Sequence, residues 1–129
     1  MKKIILIIIY VFSFPIFAQS NPLIGEWLSD REKTIHYLTK HAKLTEAQSQ
    51  TLDILLGRMK LTFSTNKVVI NYDSSASEFT YQIIEKSKEY IKVRIENDSS
   101  ELFFYFDANY IYQKYTSSFF TREYFSKVK

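Results

Sequence analysis

The feature that most constrains this chain is an alternation of apolar and polar side chains that begins near residue 59 and recurs toward the C-terminus. It is regular in 59–64 (MKLTFS) and clearest in 91–96 (IKVRIE). Since successive side chains of a β-strand point to opposite faces, each such segment predicts a strand with one buried face. Groups of Asn, Asp and Ser separate the segments, as expected of turns in a chain with two glycines and two prolines. Further strands are predicted at 67–72, 79–83, 102–106, 110–115 and 119–128, the last with a short closing helix as the alternative.

Between a short first strand at 23–28 and the strand at 59, the apolar residues follow a helical period. Ser29 precedes Glu32, and Thr45 precedes Gln48, with the three-residue spacing of a capping box. Gly57 is a predicted C-terminal stop. The apolar stripes of the two helices are Ile35, Leu38 and Ala42, and then Leu52, Leu55, Leu56 and Met59. We therefore predict a mainly β fold: an antiparallel up-and-down meander or small barrel of about seven or eight strands. Two short helices, at about 30–57, lie between strands 1 and 2.

The N-terminus has the pattern of a secretory signal peptide. Lys2 and Lys3 precede an apolar run at 4–12, Pro15 interrupts it, and Ala18-Gln19-Ser20 has the small-x-small form of a cleavage site. A membrane anchor would need about 20 continuous apolar residues. The sequence predicts a signal peptide at 1–20, a single mature domain at 21–129, and a periplasmic or secreted location without a stable membrane anchor.

Composition and motifs narrow the function classes. The chain has no cysteine, so disulfides, thiol chemistry and cysteine-ligated metals are excluded. Its net charge is +3, of which two charges leave with the signal peptide, and both signs are interspersed, so no nucleic-acid partner is expected. His36 and His41 are five residues apart and point about 140° away from each other on a helix, so they form no metal-chelating pair. A Gly-x-Ser-x-Gly elbow and a phosphate-binding glycine loop are both missing. We expect no catalytic residue, no cofactor and no metal.

Leu23-Ile24-Gly25-Glu26-Trp27 resembles the Gly-x-Trp segment that opens the first strand of lipocalins and fatty-acid-binding proteins. The resemblance implies a β-barrel in which Trp27 has a structural role, packed across the closed end. The helix pair is similar to the helical lid of fatty-acid-binding proteins. The chain departs from fatty-acid-binding proteins in two respects. It has fewer than ten predicted strands, and it has no matching set of internal arginines and a tyrosine that would hold the carboxylate of a fatty acid.

The C-terminal third is very rich in aromatic residues, and the segment 102–106 (LFFYF) is apolar on both faces. We expect either that the helix pair covers the second face, or that the rings line a groove or cavity for a ligand. Under the second hypothesis the chain is an exported binding protein, lipocalin-like, that holds a small apolar or amphipathic ligand. Its predicted lining consists of Met59, Leu61, Phe63, Phe79, Tyr81, Leu102, Phe104 and Phe106.

The alternative function is a protein-interaction module with a filled core, such as an inhibitor or accessory subunit of another protein of the bacterial envelope. In that case the same eight residues are core, and the tyrosines of 105–115 form the contact surface, since tyrosine is enriched in binding hot spots.

Overall fold

The computed structural model describes residues 21–128, so the predicted signal peptide at 1–20 lies outside the described residues. The described chain is one closed antiparallel barrel with two helices. Its elements are β1 (Gly25–Ser29), α1 (Arg31–His41), α2 (Glu46–Leu55), β2 (Met59–Phe63), β3 (Lys67–Tyr72), β4 (Ser75–Lys86), β5 (Tyr90–Ile95), β6 (Glu101–Asp107), β7 (Tyr110–Lys114) and β8 (Arg122–Lys127). The predicted mainly β fold, with the helix pair between the first two strands, is confirmed.

The strands follow one another around the barrel in chain order, and β8 returns to pair with β1. The predicted strand at the C-terminus is thus present, and it closes the barrel. Register places Trp27 of β1 opposite Leu61 of β2 on one side and Lys127 of β8 on the other. The alternation of each strand turns its apolar set inward, where 12 buried side chains form one core.

The two helices begin at identifiable caps. Thr45 and Gln48 form the predicted capping box of α2, and Gly57 follows the helix with a φ of +80°, as expected of a glycine stop. The cap of α1 is Asp30, which accepts a hydrogen bond from the backbone of Lys33, so the predicted start at Ser29 was one residue early. Ser29 is instead the last residue of β1, and its side chain is buried.

The helix pair has a small core of its own. Leu38, Leu52 and Leu56 are buried there, and Phe119 and Phe120 from the β7–β8 connection pack against them. Met59, predicted on the helical stripe, belongs to β2 and faces the barrel core. Within residues 21–128, neither helix is long and apolar enough to cross a membrane.

Two expectations about the sheet require correction. The predicted loop at 73–77 is shorter, because Ser75, Ala76 and Ser77 pair with β3 despite their weak strand preference. The second face of β6 carries Phe103 and Tyr105, and the helix pair does not supply their neighbours. Helix α1 packs against β8, while Phe103 and Tyr105 contact each other and the rings of Tyr90 and Tyr112.

Candidate functional site

The eight predicted lining residues all lie on the inner wall of the barrel. Four of them, Leu61, Phe63, Tyr81 and Phe104, are buried, and the other four, Met59, Phe79, Leu102 and Phe106, are partly buried and pack against the same core. Three of their rings are in contact: Phe63 meets Tyr81 and Phe104 edge-to-face at centroid distances of 5.5 and 5.3 Å. The structure thus brings the predicted set together as packed core, and a role in holding a ligand stays a prediction.

The hydroxyl of Tyr81 is the polar group of this inner set. It donates a hydrogen bond to the carbonyl oxygen of Ser64 at 2.6 Å and accepts one from Nδ2 of Asn21 at 2.9 Å. Burial raises the pKa of Tyr81, because the charged phenolate is less well hydrated there than in open solvent. The hydroxyl is therefore occupied by the protein itself.

Trp27 is buried, with its Nε1 donating to the carbonyl oxygen of Leu23 at 2.8 Å. The ammonium of Lys127 lies 5.4 Å from the centre of its ring. Beside these two residues lies a cavity of about 480 Å³, which is lined by Trp27, Asn109, Tyr110, Ser126, Lys127 and Val128. None of the eight predicted lining residues contributes to this cavity.

An extended array of aromatic side chains lies on the outside of the barrel. Outward-facing rings of β5 to β8 contact one another in a continuous series that we call the outer aromatic face: Tyr90, Phe103, Tyr105, Tyr110, Tyr112 and Tyr124. Tyr105 is stacked on Tyr112 with 5.2 Å between centroids, and on Phe103 with 6.0 Å. The face exists because the barrel register sets the outward residues of neighbouring strands side by side, Tyr90 opposite Tyr105 and Tyr105 opposite Tyr112.

Four cations lie over these rings. The guanidinium of Arg122 is 4.0 Å from the ring centre of Tyr112 and 4.2 Å from that of Tyr37 in α1. Lys114 lies 4.4 Å from the ring of Tyr105, Lys92 lies 5.2 Å from Phe103, and Lys33 lies 4.9 Å from Tyr110. At such distances the negative ring faces attract the cations.

Helix α1 covers one end of the outer aromatic face. Tyr124 is only 2% exposed there, with the ring of Tyr37 5.8 Å away. Its backbone N–H donates to Oγ1 of Thr34 at 2.9 Å. The five other rings of the face are half-buried, so part of each remains in contact with solvent. Burial also raises the pKa of Tyr112 and of Tyr124.

A second polar group lies inside the barrel near the helix pair. Glu123 of β8 is 5% exposed, and its carboxylate accepts hydrogen bonds from Ser29 Oγ and from the Tyr115 hydroxyl, both at 2.7 Å. Ser29 Oγ in turn accepts from the backbone of Gly57 at 3.0 Å. Burial and the neighbouring Glu123 raise the pKa of Tyr115 strongly. The group therefore connects β1, β8, the β7–β8 connection and the end of α2.

Strands β6 and β7 separate before they end. Their register pairs stop at Tyr105 and Tyr112, whereas β6 extends back to Glu101 and β7 on to Lys114. A cavity of about 250 Å³ lies between the separated ends. Side chains of both wall faces line it: Leu102, Gln113 and Tyr115, together with Glu101, Phe103, Tyr105 and Lys114. We call this opening the β6–β7 cleft.

The two histidines lie on the surface of α1. His41 is stacked on Tyr37 with 4.0 Å between ring centres, and its Nδ1 is 2.8 Å from the Tyr37 carbonyl oxygen. Within the part of the chain that the structure describes, no three His, Asp or Glu side chains form a group that could hold a metal ion.

Comparisons of the chain with protein-family models, curated proteins and solved structures found no significant match.

The sequence indicated part of this site. The aromatic richness of the C-terminal third was visible, whereas Tyr37, Tyr90 and the cations join the array only through the fold. The outward position of Tyr90 in the alternating segment 90–95 was an available signal. Tyr115 was predicted on the contact surface with the other tyrosines of 105–115, but its hydroxyl bonds the buried Glu123 and its ring contacts Phe120 instead of the outer rings. Glu123 carried no signal, because a buried carboxylate does not differ in sequence from a surface one.

Proposed function

We propose that this protein is an exported protein-interaction module, an inhibitor or accessory subunit of another protein of the bacterial envelope. The observation that carries the proposal is the outer aromatic face: six rings in continuous contact, five of them partly exposed, with cations over them. Tyrosine and arginine are enriched in protein-binding hot spots, while solvent-exposed sheet surfaces are usually polar.

The close packing of the rings on this face supports the same proposal. The rings sit on four paired strands, and stacking holds Tyr105 between Phe103 and Tyr112. A tyrosine that is already ordered loses little conformational entropy when a partner covers it, so its contact area adds to affinity at low cost. Export is supported by the N-terminal pattern at residues 1–20.

A second candidate is a carrier of a small apolar or amphipathic ligand in a lipocalin-like barrel. The cavity beside Trp27 and Lys127 favours it, since its volume of about 480 Å³ falls in the range of about 300–1,000 Å³ typical of small-molecule sites. The predicted inner lining supports it less, because those rings already fill the space between them.

Photo-crosslinking in the cell envelope tests the interaction function. A photoreactive phenylalanine replaces Tyr105 in one variant and Glu78, an exposed residue of β4 outside the outer aromatic face, in the matched control. We expect a discrete protein adduct from position 105 that position 78 does not form.

Native mass spectrometry of the protein from the same envelope extract supplies the second measurement. A stoichiometric protein partner would support the interaction module. A co-purifying small molecule of defined mass, with no adduct specific to position 105, would overturn it in favour of the carrier.

A further inference from the structure

The β6–β7 cleft presents strand backbone that its neighbouring strand does not pair. The backbone N–H of Phe106 in β6 donates to the carbonyl oxygen of Glu89, just before β5. The N–H of Ile95 in β5 donates to the carbonyl oxygen of Ser100, just before β6. The backbone groups of the even-numbered residues of β6 therefore point toward β5. The backbone groups of Glu101 and Phe103 therefore point toward β7. Continuing the register of β6 and β7 by two residues would pair Phe103 with Lys114, but the ladder ends before that pair, and the cleft lies there.

The short ladder between β1 and β8 differs, because other groups of the chain bond the backbone of β8 where the ladder ends. Strands β1 and β8 also share three register pairs, ending at Ser29 and Phe125. Beyond that point the chain completes the bonding of β8: Asp30 donates to the carbonyl of Tyr124 at 2.8 Å, and Thr34 Oγ1 accepts from its N–H. Residues of the start of α1 thus bond the backbone of β8 beyond the β1–β8 ladder. Beyond the β6–β7 ladder, a cavity lies between the two strands instead.

The size and charge of the cleft indicate what it binds. Its volume of about 250 Å³ lies below the range of about 300–1,000 Å³ of small-molecule sites, and residues of both separated strand ends line it. Two charged side chains line the cleft, Glu101 and Lys114. The Glu101 carboxylate is bonded at 3.1 Å to Lys92 and to Arg94 of β5, so the cations around it outnumber it. The balance of charge at the mouth therefore favours an acidic ligand.

We propose that the β6–β7 cleft binds an extended, acidic peptide segment of a partner protein, which adds to β6 as a strand. This inference rests on the proposed interaction function and names the chemistry of the partner. The alternating N–H and C=O groups of β6 are matched by another extended backbone. Alternate side chains of the peptide then contact Phe103 and Tyr105 on the outside and enter the cavity beside Leu102 and Gln113 on the inside.

Peptide selection tests the proposal without knowledge of the partner. A random library of twelve-residue peptides is displayed on phage and selected on the protein expressed from its full-length gene. We expect enriched peptides to combine acidic residues with alternating apolar ones. A selection that enriches no peptide, or only basic ones, would overturn the proposal.

Two variants at one position separate backbone pairing from side-chain contact. Glu101→Pro removes an N–H that points into the cleft, and proline is tolerated at the first residue of a strand. Glu101→Ala keeps the N–H and makes the mouth more positive. We expect Glu101→Pro to weaken binding of the selected peptide about tenfold, and Glu101→Ala to leave it equal or tighter.

A crosslink provides a second test if Glu101→Pro does not fold. Cysteines in place of Phe103 and Lys114 occupy the pair that would continue the ladder, in a chain without other cysteines. Oxidation closes the cleft, so we expect peptide binding to be lost in the disulfide form and restored by reduction. Binding that survives oxidation, or is unchanged in folded Glu101→Pro, would overturn the cleft as the site. A photoreactive phenylalanine in place of Tyr112, which belongs to the outer aromatic face but does not line the cleft, reports separately on the proposed function.

Discussion

The ring of Phe63 in β2 meets the ring of Phe104 in β6 edge-to-face, with 5.3 Å between their centroids. Because β2 and β6 belong to opposite parts of the barrel wall, this contact spans the interior and shows that side chains fill it at this level. Phe104 is only 3% exposed, and Ile91 lies beside it in the ladder. Small barrels of eight strands have an interior just wide enough for such filling.

Replacement of Phe104 by tryptophan tests this packing. A larger ring has no space beside Phe63, so we expect Phe104→Trp to lower the free energy of unfolding by about 1–3 kcal/mol in urea titrations. Ile54→Trp, at an exposed position of α2, is the control for a larger ring at the surface and should stay within about 0.5 kcal/mol. Equal stability of the two variants, with altered uptake of an apolar dye by Phe104→Trp, would point to an internal ligand cavity instead.

Loss of the Ser29 hydroxyl tests the buried polar group. Ser29→Ala leaves the N–H of Gly57 and one oxygen of Glu123 without their partner in a buried place. We expect a loss of about 1–3 kcal/mol in the free energy of unfolding. The control is Ser77→Ala, at an exposed serine of β4, which should be nearly neutral. If the two substitutions lower the free energy of unfolding equally, water replaces the hydrogen bonds of Ser29 at no cost in stability.

Removal of Arg122 tests the contact of α1 with the barrel. Its guanidinium lies over Tyr37 and Tyr112 and also donates to the Tyr124 hydroxyl at 3.0 Å. We expect Arg122→Ala to destabilise the protein by about 1–2 kcal/mol and to speed amide exchange in α1. Lys114→Ala removes one exposed cation over Tyr105 and should cost about 0.5 kcal/mol or less. Unchanged amide exchange in α1 would show that Thr34 and Leu38 hold the helix without Arg122.

The tyrosines predict a fall of stability in alkali. Burial raises the pKa of Tyr81, Tyr112, Tyr115 and Tyr124 above the ordinary value in the unfolded chain. The unfolded state therefore loses these protons first as the pH rises above about 10, and each loss favours unfolding. Below about pH 10 the tyrosines are neutral in both states, and their full contribution to the free energy of unfolding is present. Urea titrations from pH 8 to 11, with tyrosinate absorbance as a second readout, measure the effect.

A variant separates this effect from the titration of lysines. Tyr115→Phe removes the most strongly shifted hydroxyl, so its stability should depend less steeply on pH above 10 than that of the unchanged protein. An identical slope in the two proteins would contradict the assignment to Tyr115.

Much of the fold was predictable because the apolar and polar residues within a strand segment indicate which of its faces is buried. The segment 67–72 was predicted with the bounds that β3 has, and Thr45 with Gln48 predicted the start of α2. Errors arose where tertiary pairing outweighs local preference, as at Ser75–Ser77, and where two polar residues compete for one role, as Ser29 and Asp30 do at the start of α1.

The candidate site was predictable only in its ingredients. Alternation identified Phe103 and Tyr105 as one face of a strand, but a single chain does not specify which neighbours cover that face. Register between strands decides that Tyr112 and Tyr90 lie beside Tyr105, and that Ser29 meets Glu123 across 94 positions of sequence.

The sequence by itself determined the order of strands and helices up to the C-terminal segment, the inward set of the strands that alternate regularly, such as 59–64 and 91–96, and the absence of cysteine chemistry, since these depend on local periodicity and composition. The tertiary structure alone decided barrel closure, the filling of the interior, the outer aromatic face and the cleft between β6 and β7. These depend on the pairing of segments distant in sequence, where a shift of one residue turns every side chain to the opposite face.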